Sequence, residues 1–233
     1  MSHHDHWTDE ELQRYVANME KHAKRAYGSF ARTIVEFKVE YLKGKRATVL
    51  DVGCGPGFLA FELMNRDYAL RVIGIDPDPR MVQTAQVKAK ERGMNEFLVR
   101  IGKAEQIPLD RETVDVVVSR RTLHHWRSLP SGFREIRRVL RPDGLFIASD
   151  VNRAYPQWKR KVRYVFLGLL AGRDTARHWP GMREHWLSPE DIQPLLEHEA
   201  FRLEFIDAGA DFTLVAKKQT TTKRAEDSAH QRR

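Results

Sequence analysis

One nine-residue stretch limits what this chain can fold into: Val49-Leu50-Asp51-Val52-Gly53-Cys54-Gly55-Pro56-Gly57. Its first half, with Thr48, is a short apolar and β-branched run that predicts a buried strand over Thr48–Val52. Its second half spaces glycines as G-x-G-x-G, so the chain can turn tightly and bring its backbone close to a ligand where a Cβ would collide. A helix over Phe58 to about Arg66 follows. In an open parallel sheet, ligands gather beyond the carboxyl ends of the strands near the topological switch point, which makes this turn a candidate binding loop. The spacing is not the G-x-G-x-x-G of the dinucleotide fingerprint. The next strand, Arg71–Asp76, closes on an acid nineteen positions beyond Gly57, where a carboxylate can accept from both hydroxyls of a ribose.

The rest of the chain alternates in the same way. Thr8 to about Phe37 keeps helical spacing through Leu12, Tyr15, Val16, Met19, Ala23, Ala26 and Phe30, with a Thr8/Glu11 capping box and Gly28-Ser29 as a candidate break into two helices. Asp78 caps a helix with Pro79 at its first position and Gly93 just past its end. Phe97–Ile101, Val114–Ser119 and Leu145–Ser149 read as further buried strands. The helix before the last of these carries Phe133, Ile136, Val139 and Leu140 and stops at Pro142-Asp143-Gly144. Such alternation means a mostly parallel sheet covered on both faces. The rhythm then changes. Ser188-Pro189-Glu190-Asp191 opens a helix in which Pro194 is expected to break or kink the chain. Phe201–Ile206 and Phe212–Ala216, with Gly209 between them, leave no room for a crossover and must pair antiparallel.

Composition narrows the class. With 41% hydrophobic residues a real core is available over 233 residues, enough for one domain with a small lid. The lone cysteine, Cys54, cannot form an internal disulfide. No apolar run approaches the roughly 20 residues that span a bilayer, and the N-terminus lacks the apolar core of a secretory signal. A cytoplasmic protein without a transmembrane segment is expected. The net charge of +8 comes partly from the Thr-, Lys- and Arg-rich stretch from Lys217 to Arg233, expected to be disordered, and partly from Lys159-Arg160-Lys161-Val162-Arg163. Without an aromatic-basic RNA signature or zinc-finger spacing, a nucleic-acid partner is allowed but not favoured, and no metal site is assigned.

The nine-residue turn resembles motif I of class I S-adenosylmethionine-dependent methyltransferases. The similarity continues through Gly74-Ile75-Asp76, Gly102 to Leu109, Leu123-His124-His125-Trp126 and Arg137 to Gly144, and is nearest to the small-molecule branch with the ubiquinone/menaquinone-type enzymes. It covers Lys45 to Ser149 well and the terminal hairpin loosely. It implies an α/β fold, a Rossmann-like three-layer sandwich on a mostly parallel seven-stranded sheet ending in an antiparallel hairpin. The expected organisation is a helical cap over 1–44, a cofactor-binding core over 45–150, a lid over 151–187, a helix and hairpin completing the core over 188–217, and a basic tail over 218–233.

The resemblance also implies that Gly53, the Cys54 main chain, Gly55 and Gly57 cradle the methionine part of S-adenosyl-L-methionine, with Asp51 near its ammonium and Asp76 on the ribose. Pro77 and Met81 would lie against adenine, and Ala104 and Glu105 would reach its edge. Arg120 and the Leu123–His125 turn would pass beneath the sulfonium. Lys103 departs from the family, which usually has an acid there; lysine cannot accept a hydrogen bond, so Glu105 or a backbone carbonyl must serve. S-adenosyl-L-homocysteine would be the product.

The sulfonium is already an activated leaving group, so alignment of the reacting atoms and exclusion of water are the main tasks. His124 and His125 are the candidates for a general base, with a wall or positioning role as the other reading. Ser119-Arg120-Arg121-Thr122 is not the Asn/Asp-Pro-Pro-Tyr/Phe segment of adenine- or glutamine-directed enzymes. Cys54 sits in the cofactor loop, which argues against a cysteine nucleophile. The acceptor must be read from the lid, where Tyr155, Trp158, Tyr164, Phe166, His178, Trp179, His185 and Trp186 stand among arginines. Together with Trp7, Tyr15 and Tyr27 of the first helix these aromatics either pack as core or close over the site. As a cap, Tyr15, Tyr27, Tyr155, Trp158 and Trp179 would favour a planar, hydrophobic or anionic small-molecule acceptor, its charge met by Arg153, Arg163 or Arg173. O- or C-methylation is the favoured reading; RNA or protein methylation, or cofactor binding without catalysis, are the alternatives.

Overall fold

The structure, a computed structural model, describes residues 8–160, 162 and 186–220. Trp7, Arg163, Tyr164, Phe166, Arg173, His178, Trp179, His185 and most of the basic tail lie outside the described residues. The first helix, α1 (Asp9–Leu42), starts on the expected capping box: Thr8 Oγ1 accepts from Glu11 N, and Glu11 Oε2 accepts from Thr8 N at 2.8 Å. It does not divide at Gly28-Ser29. Gly28 is buried where the helix crosses its neighbour, and a Cβ there would come 3.2 Å from Arg66 Nη2. The glycine therefore marks close packing rather than a break.

Then come β1 (Ala47–Val52), α2 (Phe58–Arg66), β2 (Leu70–Asp76), α3 (Pro79–Glu91), β3 (Phe97–Ile101), β4 (Val114–Arg120), a short 3-10 turn (Leu123–His125), α4 (Leu129–Val139) and β5 (Leu140–Val151). Further along the chain, α5 (Pro189–His198), β6 (Phe201–Ala208) and β7 (Asp211–Lys218) complete the fold. The seven strands form one sheet in the order β3-β2-β1-β4-β5-β7-β6, with β1 to β5 parallel and both contacts of β7 antiparallel. This is the α/β, Rossmann-like sandwich with a terminal antiparallel hairpin that the sequence implied.

Alternate residues of each central strand face opposite layers. Val49, Val72, Val116 and Ile147 pack with Phe30, Phe58, Leu63 and Val82 on one face; Leu50, Ile73, Val117 and Phe146 pack with Phe133, Ile136, Ile192 and Leu196 on the other. Two local expectations are corrected. Leu140 is not the end of a helix but the first residue of β5, paired with Val114 beside a register irregularity, and Asp143 relieves the Pro142-Asp143-Gly144 kink with φ 61°. Pro194 does not break α5, whose Ile192 and Leu196 are fully buried and hold the helix against the sheet.

Candidate active site

β1 and β4 are neighbours, so the loops leaving their carboxyl ends open the crevice expected at a switch point. Gly53 N and Cys54 N donate to Ile75 O at 2.8 and 3.0 Å, tying the turn after β1 to the end of β2. Gly53 has φ 77°, and a Cβ there would lie 2.5 Å from Thr122 Cγ2. Thr122 is itself held by Val52 O and by Ser119 Oγ, 3.1 and 2.6 Å away, so it cannot retreat. Gly55 is the opposite case: φ is 52° and nothing lies within 4 Å of its missing Cβ. One glycine is demanded by the protein, the other leaves open space beside the backbone.

Two acids end the strands on either side of that space. Asp76 accepts from Gly55 N on Oδ2 and from Asp78 N on Oδ1, each at 2.9 Å. Asp51 is 2% exposed, and its Oδ2 is the one buried side-chain polar atom without a hydrogen-bond partner among the described residues. Burial pushes Asp51 up to about 8, helped by the charge of Asp76, and pushes Asp76 up to about 6 against the pull of the Asp78 and Gly55 N–H groups. Two buried acids of which one keeps an unmet acceptor define a place for a cation that also brings hydroxyl donors. Burial likewise pushes the Cys54 thiol well above its usual value, and its sulfur would lie 2.8 Å from a Cβ at Gly74. Cys54 is packing, not nucleophile.

The remaining implied cofactor residues flank this space unevenly. Gly57 caps α2 with φ 84°, Met81 is buried in the first turn of α3, Pro77 is exposed at the rim, and Ala104 is buried. Glu105 holds the entry to α4: its Oε1 accepts from Arg127 N at 2.6 Å and Ser128 N at 3.2 Å. Lys103 is exposed.

Beyond β4 the cleft turns cationic. Arg120 lies between the rings of Tyr27 and Phe30, 5.5 Å from each centroid, and Arg121 Nη2 pairs with Asp211 Oδ2 at 2.6 Å. Both Tyr15 and Tyr27 are half-buried, with phenols pushed up by burial. Tyr15 lies in the fields of Arg121 and Asp76, Tyr27 in those of Arg120 and Asp51. Helix α1 thus roofs the crevice. His124 Nδ1 stands 2.7 Å from Asp150 Oδ1 at the end of β5, with the two side chains 5% and 1% exposed. His125 is exposed, its ring centroid 3.9 Å from that of His124. Asp150 was not among the residues read from the sequence. Its only local signal is its place at the carboxyl end of a central strand.

The lid candidates fare differently. The Tyr155 ring lies 5.9 Å from the Arg160 guanidinium, while Trp158 is 64% exposed beside Lys159. Arg153 is engaged by both oxygens of Asp191 at 2.8 and 2.9 Å. Of the five aromatics named for the acceptor, the structure brings Tyr15 and Tyr27 to the cleft. A shallow groove lined by Arg46, Arg71, Asn95, Glu96 and Arg141 opens at the opposite, amino-terminal edge of the strands, where Arg46–Glu96 and Arg141–Asp115 are already paired.

Residues 50–148 match a family model described as a methyltransferase domain. The chain is 34% identical over 102 residues to the uncharacterized methyltransferase YcgJ of Bacillus subtilis, covering 44% of this chain and 40% of that protein. It is 31% identical over 179 residues to the uncharacterized methyltransferase C70.08c of Schizosaccharomyces pombe, covering 72% and 64%. The chain spans about half the length of the curated relatives it matches. Among solved structures, a SAM-dependent methyltransferase from Aquifex aeolicus superposes with a TM-score of 0.60 at 22% identity, covering 81% of this chain and 97% of that one, a likeness of fold. Residues 50–148 are therefore a methyltransferase domain by sequence, with the fold of class I S-adenosylmethionine-dependent methyltransferases, and S-adenosyl-L-methionine is the cofactor that such a domain takes. No helix among the described residues is long and apolar enough to cross a membrane.

Proposed function

We propose that this protein transfers a methyl group from S-adenosyl-L-methionine to oxygen or carbon of a small-molecule acceptor by direct in-line displacement. The observation that carries the reading is the unpartnered Oδ2 of buried Asp51 beside the open space at Gly55. That space offers an acid to an ammonium, a second acid, Asp76, to ribose hydroxyls, and a glycine backbone without side-chain obstruction. When bound, the cofactor supplies a methyl group on a sulfonium that needs no further activation. The chain's own work is alignment, which is worth on the order of 7–11 kcal/mol at best, and exclusion of water by α1 through Tyr15 and Tyr27.

A small acceptor is favoured over RNA because the basic run is weaker than its sequence suggests. Arg160, its second residue, is 7% exposed and lies over the Trp186 ring at 4.6 Å, so its charge is spent inside the fold.

Calorimetric titration of the full chain and of Asp76→Ala with S-adenosylmethionine, S-adenosylhomocysteine and NAD tests this. Saturable binding of the first two by the wild type, lost in the variant and absent for NAD, is expected. Failure of a folded wild type to bind either sulfur ligand overturns the proposal. Binding and turnover that collapse with added salt would favour a nucleic-acid acceptor instead.

A further inference from the structure

We propose that the acceptor presents an ionisable hydroxyl, that His124 Nε2 receives its proton, and that Asp150 is the positioning residue that makes Nε2 the basic nitrogen. The inference rests on the methyltransferase reading above and narrows it from oxygen or carbon to oxygen.

The geometry of one buried pair carries it. Asp150 accepts from Val151 N at 2.7 Å on Oδ1 and from His124 N at 3.4 Å on Oδ2, and His124 Nδ1 meets Oδ1 at 2.7 Å. An ionised carboxylate can only accept, so the hydrogen of a neutral His124 sits on Nδ1 and the lone pair on Nε2. No described residue hydrogen-bonds Nε2, although the side chain is only 5% exposed. A ring with one nitrogen saturated by a buried acid and the other without a partner among the described residues is built to take a proton. A ring serving only as a wall has no need of the acid.

The charges around the pair support the same chemistry. Arg120 and Arg121 at the end of β4 lie in the field of Asp150, Asp211 of β7 pairs with Arg121, Tyr27 of α1 faces Arg120, and His125 covers the His124 ring. Guanidinium groups beside the reacting oxygen favour its anionic form. Asp150 favours the imidazolium that results. Hydroxyls gain most from this arrangement: a phenol, with a pKa near about 10, is almost wholly protonated at neutral pH. A neutral amine attacks through its own lone pair and can lose its proton afterwards.

In the step proposed, the hydroxyl proton passes to His124 Nε2 and the freed oxygen pair forms the bond to the methyl carbon. The carbon–sulfur bond breaks with its pair going to sulfur. The products are the methyl ether and S-adenosylhomocysteine, and the positive charge lost by sulfur rests on His124 against Asp150.

Two measurements on the full chain test this. Nitrogen-15 spectra of histidine-labelled protein saturated with S-adenosylhomocysteine are expected to show His124 as the Nδ1–H tautomer, and a mixture in Asp150→Asn. A wild-type Nε2–H tautomer overturns the assignment. The second measurement follows methyl transfer to catechol, 4-nitrophenol, 4-methylumbelliferone, thiophenol and aniline as probes. Transfer to hydroxyl probes is expected, with kcat falling about 10²-fold in Asp150→Asn and in His124→Ala. KM and S-adenosylhomocysteine affinity should hold in both variants, and added imidazole should partly restore His124→Ala. Transfer confined to thiophenol or aniline, or none to a hydroxyl by protein that binds S-adenosylhomocysteine, overturns the inference. So does a loss of binding that tracks the loss of rate, since a structural brace would give that. Absence of S-adenosylhomocysteine binding in the wild type removes the methyltransferase reading itself, and this inference with it.

Discussion

Replacing Asp51 by asparagine should stabilise the ligand-free protein, and increasingly so as pH rises. Burial lifts the folded-state pKa of Asp51 to about 8, whereas the carboxyl in an unfolded chain titrates near its ordinary value of 3.8. A group raised in the fold contributes its full share of stability below the unfolded pKa and loses it as pH climbs through the folded one. Between about pH 4 and 8 the native state holds a proton that the unfolded chain has released, so stability falls by about 1.4 kcal/mol per pH unit. Asparagine keeps the shape and stays neutral. From pH 5 to pH 8 the wild type should therefore lose about 4 kcal/mol relative to Asp51→Asn. Asp76 has its own rise, but it is present in both proteins and cancels in the difference. Urea unfolding midpoints at four pH values would measure the gap. Parallel curves for the two proteins would refute the reasoning, because they would mean that Asp51 is solvated or already paired. The same proton should leave when the ammonium of the cofactor arrives. Titration with S-adenosylhomocysteine at pH 7, in buffers of different ionisation enthalpy, should then report release of ~1 proton by the wild type and none by the variant.

Two further perturbations separate scaffold from site. Gly53→Ala places a Cβ 2.5 Å from Thr122 Cγ2 at φ 77° and should destabilise the fold by about 2–4 kcal/mol, measured by chemical denaturation. Gly55→Ala meets nothing within 4 Å and should cost the fold only about 1 kcal/mol, yet weaken S-adenosylhomocysteine binding because its methyl enters the ligand's space. Equal effects on folding would contradict the distinction. Glu20 on α1 bridges Lys88 of α3 and Arg92 at that helix's C-cap, each at 2.7 Å, and anchors the half of α1 that carries Tyr15. These groups are partly exposed, so Glu20→Gln should change global stability by less than about 1 kcal/mol. It should still speed amide exchange of residues 9–20 and S-adenosylhomocysteine release, as high salt should in the wild type; unchanged exchange would show that packing alone holds the roof.

Most of the fold was legible because its signals are local. The strand runs, the Asp78-Pro79 cap and the hairpin with no room for a crossover each declare themselves within a dozen residues. The glycine turn and Asp76 were legible for the same reason, since both end strands at one edge of the sheet. What was hidden depends on partners distant in sequence. Gly28 reads as a break until α2 is seen against it, where a Cβ would stand 3.2 Å from the Arg66 guanidinium. Nothing around Glu105 in the sequence announces that its Oε1 holds Arg127 N and Ser128 N, 22 and 23 residues away. Asp150 looks like the end of a strand and nothing more until His124 meets it from 26 residues away. Arg160 in a basic run looks solvated, and its stacking on Trp186 brings in a partner 26 residues further along the chain.

Asp51 and Asp150, two of the buried acids of the cleft, show how burial alone does not assign a role. Asp51 and Asp150 are equally removed from water, at 2% and 0% exposure. A carboxylate so placed must either find donors within the protein or give up its charge. Asp150 finds them in Val151 N, His124 N and the His124 ring, and so it can orient a neighbour. Asp51 leaves one oxygen unmet and is pushed toward neutrality, a state that only an incoming cation reverses. The satisfied acid belongs to the chemistry, where geometry must not move between turnovers. The unsatisfied acid belongs to binding, where the energy of completing a contact is released only when the ligand enters. Losing Asp51 should therefore weaken cofactor binding, and losing Asp150 should lower turnover while leaving binding in place.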